Sequence, residues 1–124
     1  MMQRDRASAA LGMTVQVDEP GRAVVSMVVR DDMLNGFSIT HGGMMFSLAD
    51  TAFALACNED DRVTVAAGAD ITFLKSTTAG QTLTATAVRR VISGRTGLYD
   101  VTVTDETGDA VAEFRGRSVI TNRA

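Results

Sequence analysis

The chain has 124 residues, 45% of them hydrophobic and 22% charged, with a single Pro; that predicts one compact domain with one core and excludes a disordered tail or a two-domain enzyme. A formal charge of −3 lacks the dense basic face that phosphate backbones require, so no nucleic-acid partner is expected. One cysteine, Cys57, allows no internal disulfide, one histidine allows no zinc cluster, residues 1–8 hold no apolar run that could serve as a signal peptide, and no stretch of the chain approaches the roughly 20 apolar residues of a membrane span; the expectation is a cytoplasmic protein with no membrane partner and no metal.

In chain order, residues 13–18 alternate apolar and polar, 19–22 are turn chemistry around Pro20-Gly21, and 23–29 resume a β-favouring run. That pattern predicts a hairpin. Residues 31–40 are irregular, with Asn35-Gly36 as a turn signal, and lead through His41-Gly42-Gly43 into residues 44–57. This last stretch has no Pro, Val or Ile and is rich in Ala, Leu and Met, so it predicts the one long helix, with Thr40 as its cap. Residues 63–75, 81–93, 96–105 and 110–121 are strand-like, and the breaks at Ala79-Gly80, Ser93-Gly94 and 106–109 are short enough for hairpins. A period of two in residues 82–88 and 100–104 makes one sheet face apolar. An antiparallel sheet of five or six strands wrapped around one central helix, an α+β architecture, is the simplest solution.

From His41 to Asn58 the only carboxylate is Asp50, set among Leu48, Ala49, Ala52, Phe53, Leu55 and Ala56. Burying a carboxylate costs several kcal/mol unless it finds donors or its pKa rises, of order ~2–7 kcal/mol even for a neutral polar group. Asp50 is therefore either a satisfied buried acid, the cap of a second helix after a break, or a general base or nucleophile. Ser47, Asp50, Thr51 and Ala54 fall on one helical stripe, a polar seam that also suits a subunit interface. At the helix start, unsatisfied N–H groups carry partial positive charge, and Gly42 leaves them open to a substrate oxygen. Gly42 and Asp50 are separated by eight residues, about 12 Å along one helix, too far to act on one carbonyl. If both participate, the helix start of one protomer meets the helix middle of another, in an isologous dimer.

The run from Met33 to Asn58, with Asn35-Gly36, His41-Gly42-Gly43 and Ser47-Leu48-Ala49-Asp50-Thr51-Ala52, resembles the PaaI group of hot-dog-fold thioesterases, the phenylacetic-acid-degradation type. The likeness continues through Ile71-Thr72-Phe73-Leu74, residues 79–87, residues 96–100 and Phe114-Arg115-Gly116-Arg117-Ser118, and so covers nearly all of 11–120. It implies a single domain with a helix wrapped by an antiparallel sheet, dimers pairing into homotetramers, and hydrolysis of an aryl-acetyl-CoA to free acid and CoA. No cofactor is implied, CoA being part of the substrate. Carried over by position, Asp50 matches the catalytic carboxylate, Gly42 the N–H that polarises the carbonyl, and Asn35 and His41 the polar pair beside it. Gly43 flanks the same site, and Ser47 or Thr51 are placed to orient a water. Phe37, Met44, Met45, Phe46 and Phe53 are candidates for the acyl pocket; Lys75, Arg89, Arg90, Arg95, Arg115 and Arg117 are candidates for the CoA phosphates, Arg90 and Arg117 foremost. Two other readings share the fold: a hydratase or dehydratase pairing His41 with Asp50, and a catalytically silent acyl-CoA sensor.

Overall fold

The computed structural model describes residues 5–58 and 63–121. A short helix α1 (Arg6–Ala10) is followed by strands β1 (Thr14–Glu19) and β2 (Arg22–Val28), a 3-10 turn at Asp31–Met33, the long helix α2 (Gly42–Cys57), and strands β3 (Thr64–Phe73), β4 (Thr82–Ser93), β5 (Thr96–Thr104) and β6 (Ala110–Ile120). The six strands form one antiparallel sheet in the order β1-β2-β4-β5-β6-β3. This is the hot-dog fold, with α2 as the filling.

Two of the three predicted short breaks make hairpins: β4–β5 turns at Gly94 (φ 61°) and β5–β6 at Gly108 (φ 90°). The break at Ala79-Gly80 does not. There β3 pairs with β6 at the sheet edge and β4 pairs with β2 and β5. The intervening segment crosses the start of α2 and is pinned to the irregular segment before it: Thr40 N donates to Thr77 O at 2.8 Å, and Gly80 N to Val29 O at 2.9 Å. The Thr40 hydroxyl bonds that of Thr77 at 2.6 Å, so Thr40 is a brace for this crossover and not the cap of α2.

The inner sheet face and α2 share one core. Leu83, Ala85 and Ala87 of β4 and Tyr99, Val101 and Val103 of β5 alternate inward, as the period of two predicts, against Leu48, Ala49, Ala52, Phe53 and Ala56 of α2. Small residues on both layers let helix and sheet approach closely, and Phe53 fills the space between. Its ring lies 5.5 Å from that of Tyr99 and 5.8 Å from that of Phe114. A Cβ on Gly116 would sit 2.8 Å from Phe53 ring atoms, so the ring rests directly on the β6 backbone.

Candidate active site

Two separate hollows flank α2. The first is a cleft of about 430 Å³ at the helix start, lined by Asn35, Ile39, Thr40, Gly42, Met45 and the segment Phe73–Ser76. Here His41, in extended conformation (φ −62°, ψ 133°), is the N-cap, and its Nδ1 accepts from Gly43 N at 3.0 Å. In the neutral ring that places the proton on Nε2. Met44 N donates to His41 O at 2.9 Å. Of the first three helical N–H groups, that of Gly42 alone has no acceptor among the described residues, and it belongs to a residue on the cleft wall.

Asn35 supplies a second donor. Its Oδ1 accepts from Phe37 N at 2.9 Å and from Ile39 N at 3.4 Å, which orients the side-chain amide and leaves Nδ2 without a protein acceptor among the described residues. The rest of the cleft is largely apolar, through Ile39, Met45, Phe73 and Leu74. Lys75 stands beside them, tied to Asp105 at 3.0 Å and Asp109 at 3.1 Å. Gly42 has an additional reason to be glycine: a Cβ would lie 2.9 Å from Cζ of Phe73. The ring of β3 packs over the helix start, and only a hydrogen fits beneath it.

The second hollow, about 310 Å³, lies against the middle of α2 and is lined by Asp50, Ser47, Phe46 and Thr51 with Asp5, Ser8 and other residues of the amino-terminal segment. Asp50 is half-buried there and accepts no hydrogen bond among the described residues. Burial, and secondarily the negative charge of Asp5, push its pKa above the ordinary carboxylate value. A satisfied buried acid would show donors on its oxygens; Asp50 shows none among the described residues.

The remaining candidates are sorted by their contacts. Ser47 Oγ donates to Gly43 O at 2.8 Å, and the Thr51 hydroxyl, buried, bonds Ser8 Oγ at 2.8 Å. Both hydroxyls are thus already engaged inside the chain, and Thr51 faces α1 instead of an open seam. Phe53 is a core residue, 1% exposed, and does not line the cleft. Phe46 stacks edge-on against Phe114 at 5.3 Å. Phe37 is at the other extreme, 86% exposed on the loop before the helix, next to Ser38 with its positive φ of 60°. Met45 lies on the cleft wall, whereas Met44 is not among its lining residues. On the outer sheet face Arg90 and Arg115 both pair with Asp100, at 3.3 and 2.7 Å, and the Arg117 guanidinium lies over Gly68, 3.4 Å from Ala67 O. The α1 helix with its N-cap Asp5 and its residue Ser8, and the cleft residues Ile39, Phe73 and Leu74, are not signalled by the sequence patterns above. The Asp5-x-x-Ser8 spacing is a capping signal, and Asp5 does accept from Ser8 N at 2.9 Å; nothing local points to Phe73.

Among the described residues no helix is long and apolar enough to cross a membrane. Residues 37–112 match the thioesterase superfamily. The chain is 46% identical over 118 residues, 95% of this chain and 84% of the relative, to the acyl-coenzyme A thioesterase PaaI of Escherichia coli. The solved structure of the E. coli PaaI protein from the phenylacetic acid degradation operon superposes with a TM-score of 0.97 at 44% identity, covering 100% of this chain and 90% of that one. A Streptococcus mutans protein solved with acetyl CoA bound superposes with a TM-score of 0.84 at 28% identity, over 90% of each chain. With the hot-dog fold and a sequence match that spans the helix start and Asp50, the chain belongs to the thioesterase superfamily and is a thioester hydrolase of the PaaI kind.

Proposed function

We propose that this enzyme hydrolyses aryl-acetyl-CoA thioesters, phenylacetyl-CoA or hydroxyphenylacetyl-CoA, to the free acid and CoA. The observation that carries the reading is the apolar cleft at the start of α2, lined by two residues whose donors, the Gly42 N–H and the Asn35 amide, have no acceptor among the described residues. The acyl-CoA activity of the E. coli relative and its place in a phenylacetic acid degradation operon support the substrate class. Ile39, Met45, Phe73 and Leu74 suit an aromatic acyl group, and the donors suit its carbonyl oxygen.

In this reading the Gly42 N–H and the positive end of α2 stabilise the oxyanion that develops on the thioester carbonyl, worth about 2.7–4 kcal/mol per donor. Asp50 of a second protomer takes a proton from water as the water oxygen bonds to the carbonyl carbon. The tetrahedral intermediate then expels the CoA thiolate, which recovers the proton from Asp50. Alternatively the carboxylate attacks directly and water cleaves the mixed anhydride. Both routes end in acid, thiol and a regenerated carboxylate, with protein groups filling every role and no metal or cofactor required.

The dimer is part of the proposal. Gly42 and Asp50 line different hollows of the same chain, as about 12 Å of helix between them requires. The outer edge of β3 pairs with no strand among the described residues and ends in half-exposed Phe73 and Leu74, features that an isologous partner covers. A homotetramer follows by pairing two such dimers. The test is thiol release from phenylacetyl-CoA, 4-hydroxyphenylacetyl-CoA, benzoyl-CoA and a medium-chain acyl-CoA. Preference for the aryl-acetyl thioesters, abolished in Asp50→Asn protein of unchanged circular dichroism, is expected. Tight binding of these thioesters with no hydrolysis sinks the proposal in favour of the sensor.

A further inference from the structure

The amino-terminal helix has a role that the thioesterase reading leaves unused. Ser8 is buried, and its hydroxyl donates to Asp5 Oδ2 at 2.6 Å. With its proton so committed, Ser8 Oγ accepts from the Thr51 hydroxyl, 2.8 Å away on α2. Thr51, Ser8 and Asp5 therefore form a directed chain that fastens α1 to the helix turn carrying Asp50. Asp5 accepts a further bond from Ser8 N at 2.9 Å, and these bonds hold its own pKa below the ordinary carboxylate value. It is a fixed negative charge on the wall of Asp50's cavity.

We propose that Asp5 is a positioning residue for the reaction: pinned by the Thr51–Ser8–Asp5 chain on the wall of the cavity that Asp50 also lines, its carboxylate disfavours a second negative charge there and so favours proton uptake by Asp50. The proposal rests on Asp50 being the base or nucleophile. Two like charges in a partly desolvated hollow repel, and the repulsion favours the state in which Asp50 has taken up a proton. Among the described residues, no positive side chain lines the cavity to cancel the effect. Around α2, the charged groups Asp18 and Glu19 of β1, Arg22 of β2, Asp70 of β3, Arg89 and Arg90 of β4, Asp100 of β5 and Glu113, Arg115 and Arg117 of β6 line other surfaces, and Arg6 of α1 is exposed. Tyr99 of β5 is buried against Phe53, and on α2 itself His41 and Cys57 stand at its two ends. Burial and Asp5 are the two causes that raise Asp50.

The experiment is the pH profile of kcat/KM for phenylacetyl-CoA in wild type, Asp5→Asn and Asp5→Glu, together with the carboxyl titration of Asp50 followed by carbon NMR. The acidic limb and the NMR midpoint should move to lower pH in Asp5→Asn and return toward wild type in Asp5→Glu. Raised salt should narrow the difference, since the cavity is partly open to solvent. An unmoved limb and midpoint in Asp5→Asn overturn the proposal. So does a uniform loss of rate at every pH, which marks α1 as a packing element only. If Asp5→Asn loses the α1 contact, Ser8→Ala, which keeps both carboxylates, serves as the second variant: release of Asp5 should lower the Asp50 midpoint, and no change overturns the pinning. Full activity in Asp50→Asn would defeat the thioesterase assignment of that residue, and the NMR midpoint would still report on Asp5.

Discussion

The two hollows beside α2 are built from the same helix and do opposite things to charge. At the helix start the backbone N–H groups have no carbonyl four residues earlier to bond, so the Gly42 N–H is left without an acceptor among the described residues and the helix end favours negative charge. Two turns further on, every N–H is spent inside the helix. There Asp50 meets burial and another carboxylate, and both push its pKa up. A carboxylate at the first position would be stabilised as an anion and lose its basicity; an oxyanion hole at the second would have no donors. In the proposed reaction, the separation lets one helix supply both an electrophilic end and a basic middle, and its geometric consequence there is that a complete site needs two chains.

That contrast can be broken at several points. The largest effect belongs to Asp50→Asn, which should lower kcat by about 10²–10⁴-fold with KM little changed, measured as thiol release from phenylacetyl-CoA. Gly42→Ala comes next. Its Cβ, 2.9 Å from the Phe73 ring, forces the helix start to shift, and about a 10²-fold loss of kcat/KM is expected for a displacement near 1 Å. Replacing Phe73 by Leu in the same protein should recover part of that loss; no recovery would place the damage elsewhere.

A smaller signal is more decisive about the dimer. Protein co-expressed as Asp50→Asn and Gly42→Ala chains should regain about a quarter of wild-type activity, because half of the randomly formed dimers contain one intact site of two. No activity above the separate variants would mean that Gly42 and Asp50 do not work across an interface. The smallest effect is on stability. Because the fold raises the Asp50 pKa above its unfolded value of 3.8, the folded state binds the proton more readily, and stability is lost as pH rises through the folded value. Asp50→Asn should therefore melt higher than wild type at pH 7, and the advantage should vanish below pH ~3.8 in thermal scans. An unchanged Tm difference at both values would show that Asp50 is not desolvated in solution.

Local pattern determined much of this molecule. The composition of 44–57 specifies the long helix, alternation specifies β4 and β5, and a lone carboxylate in an Ala-, Leu- and Phe-rich helix singles out Asp50, because propensity and periodicity act over a few neighbouring residues. The helix rise of about 1.5 Å per residue is equally local, so the separation of Gly42 from Asp50 was computable before any fold was known. Tertiary structure decided what depends on residues far apart in the chain. It placed β3 beside β6 and not beside β4, and with it the Phe73 ring over Gly42. Packing also took Phe53 into the core, left Phe37 outside, and turned Thr51 toward Ser8. No periodicity encodes those contacts. They arise from how one sheet closes around one helix, where burial and hydrogen-bond satisfaction are settled by the whole chain at once.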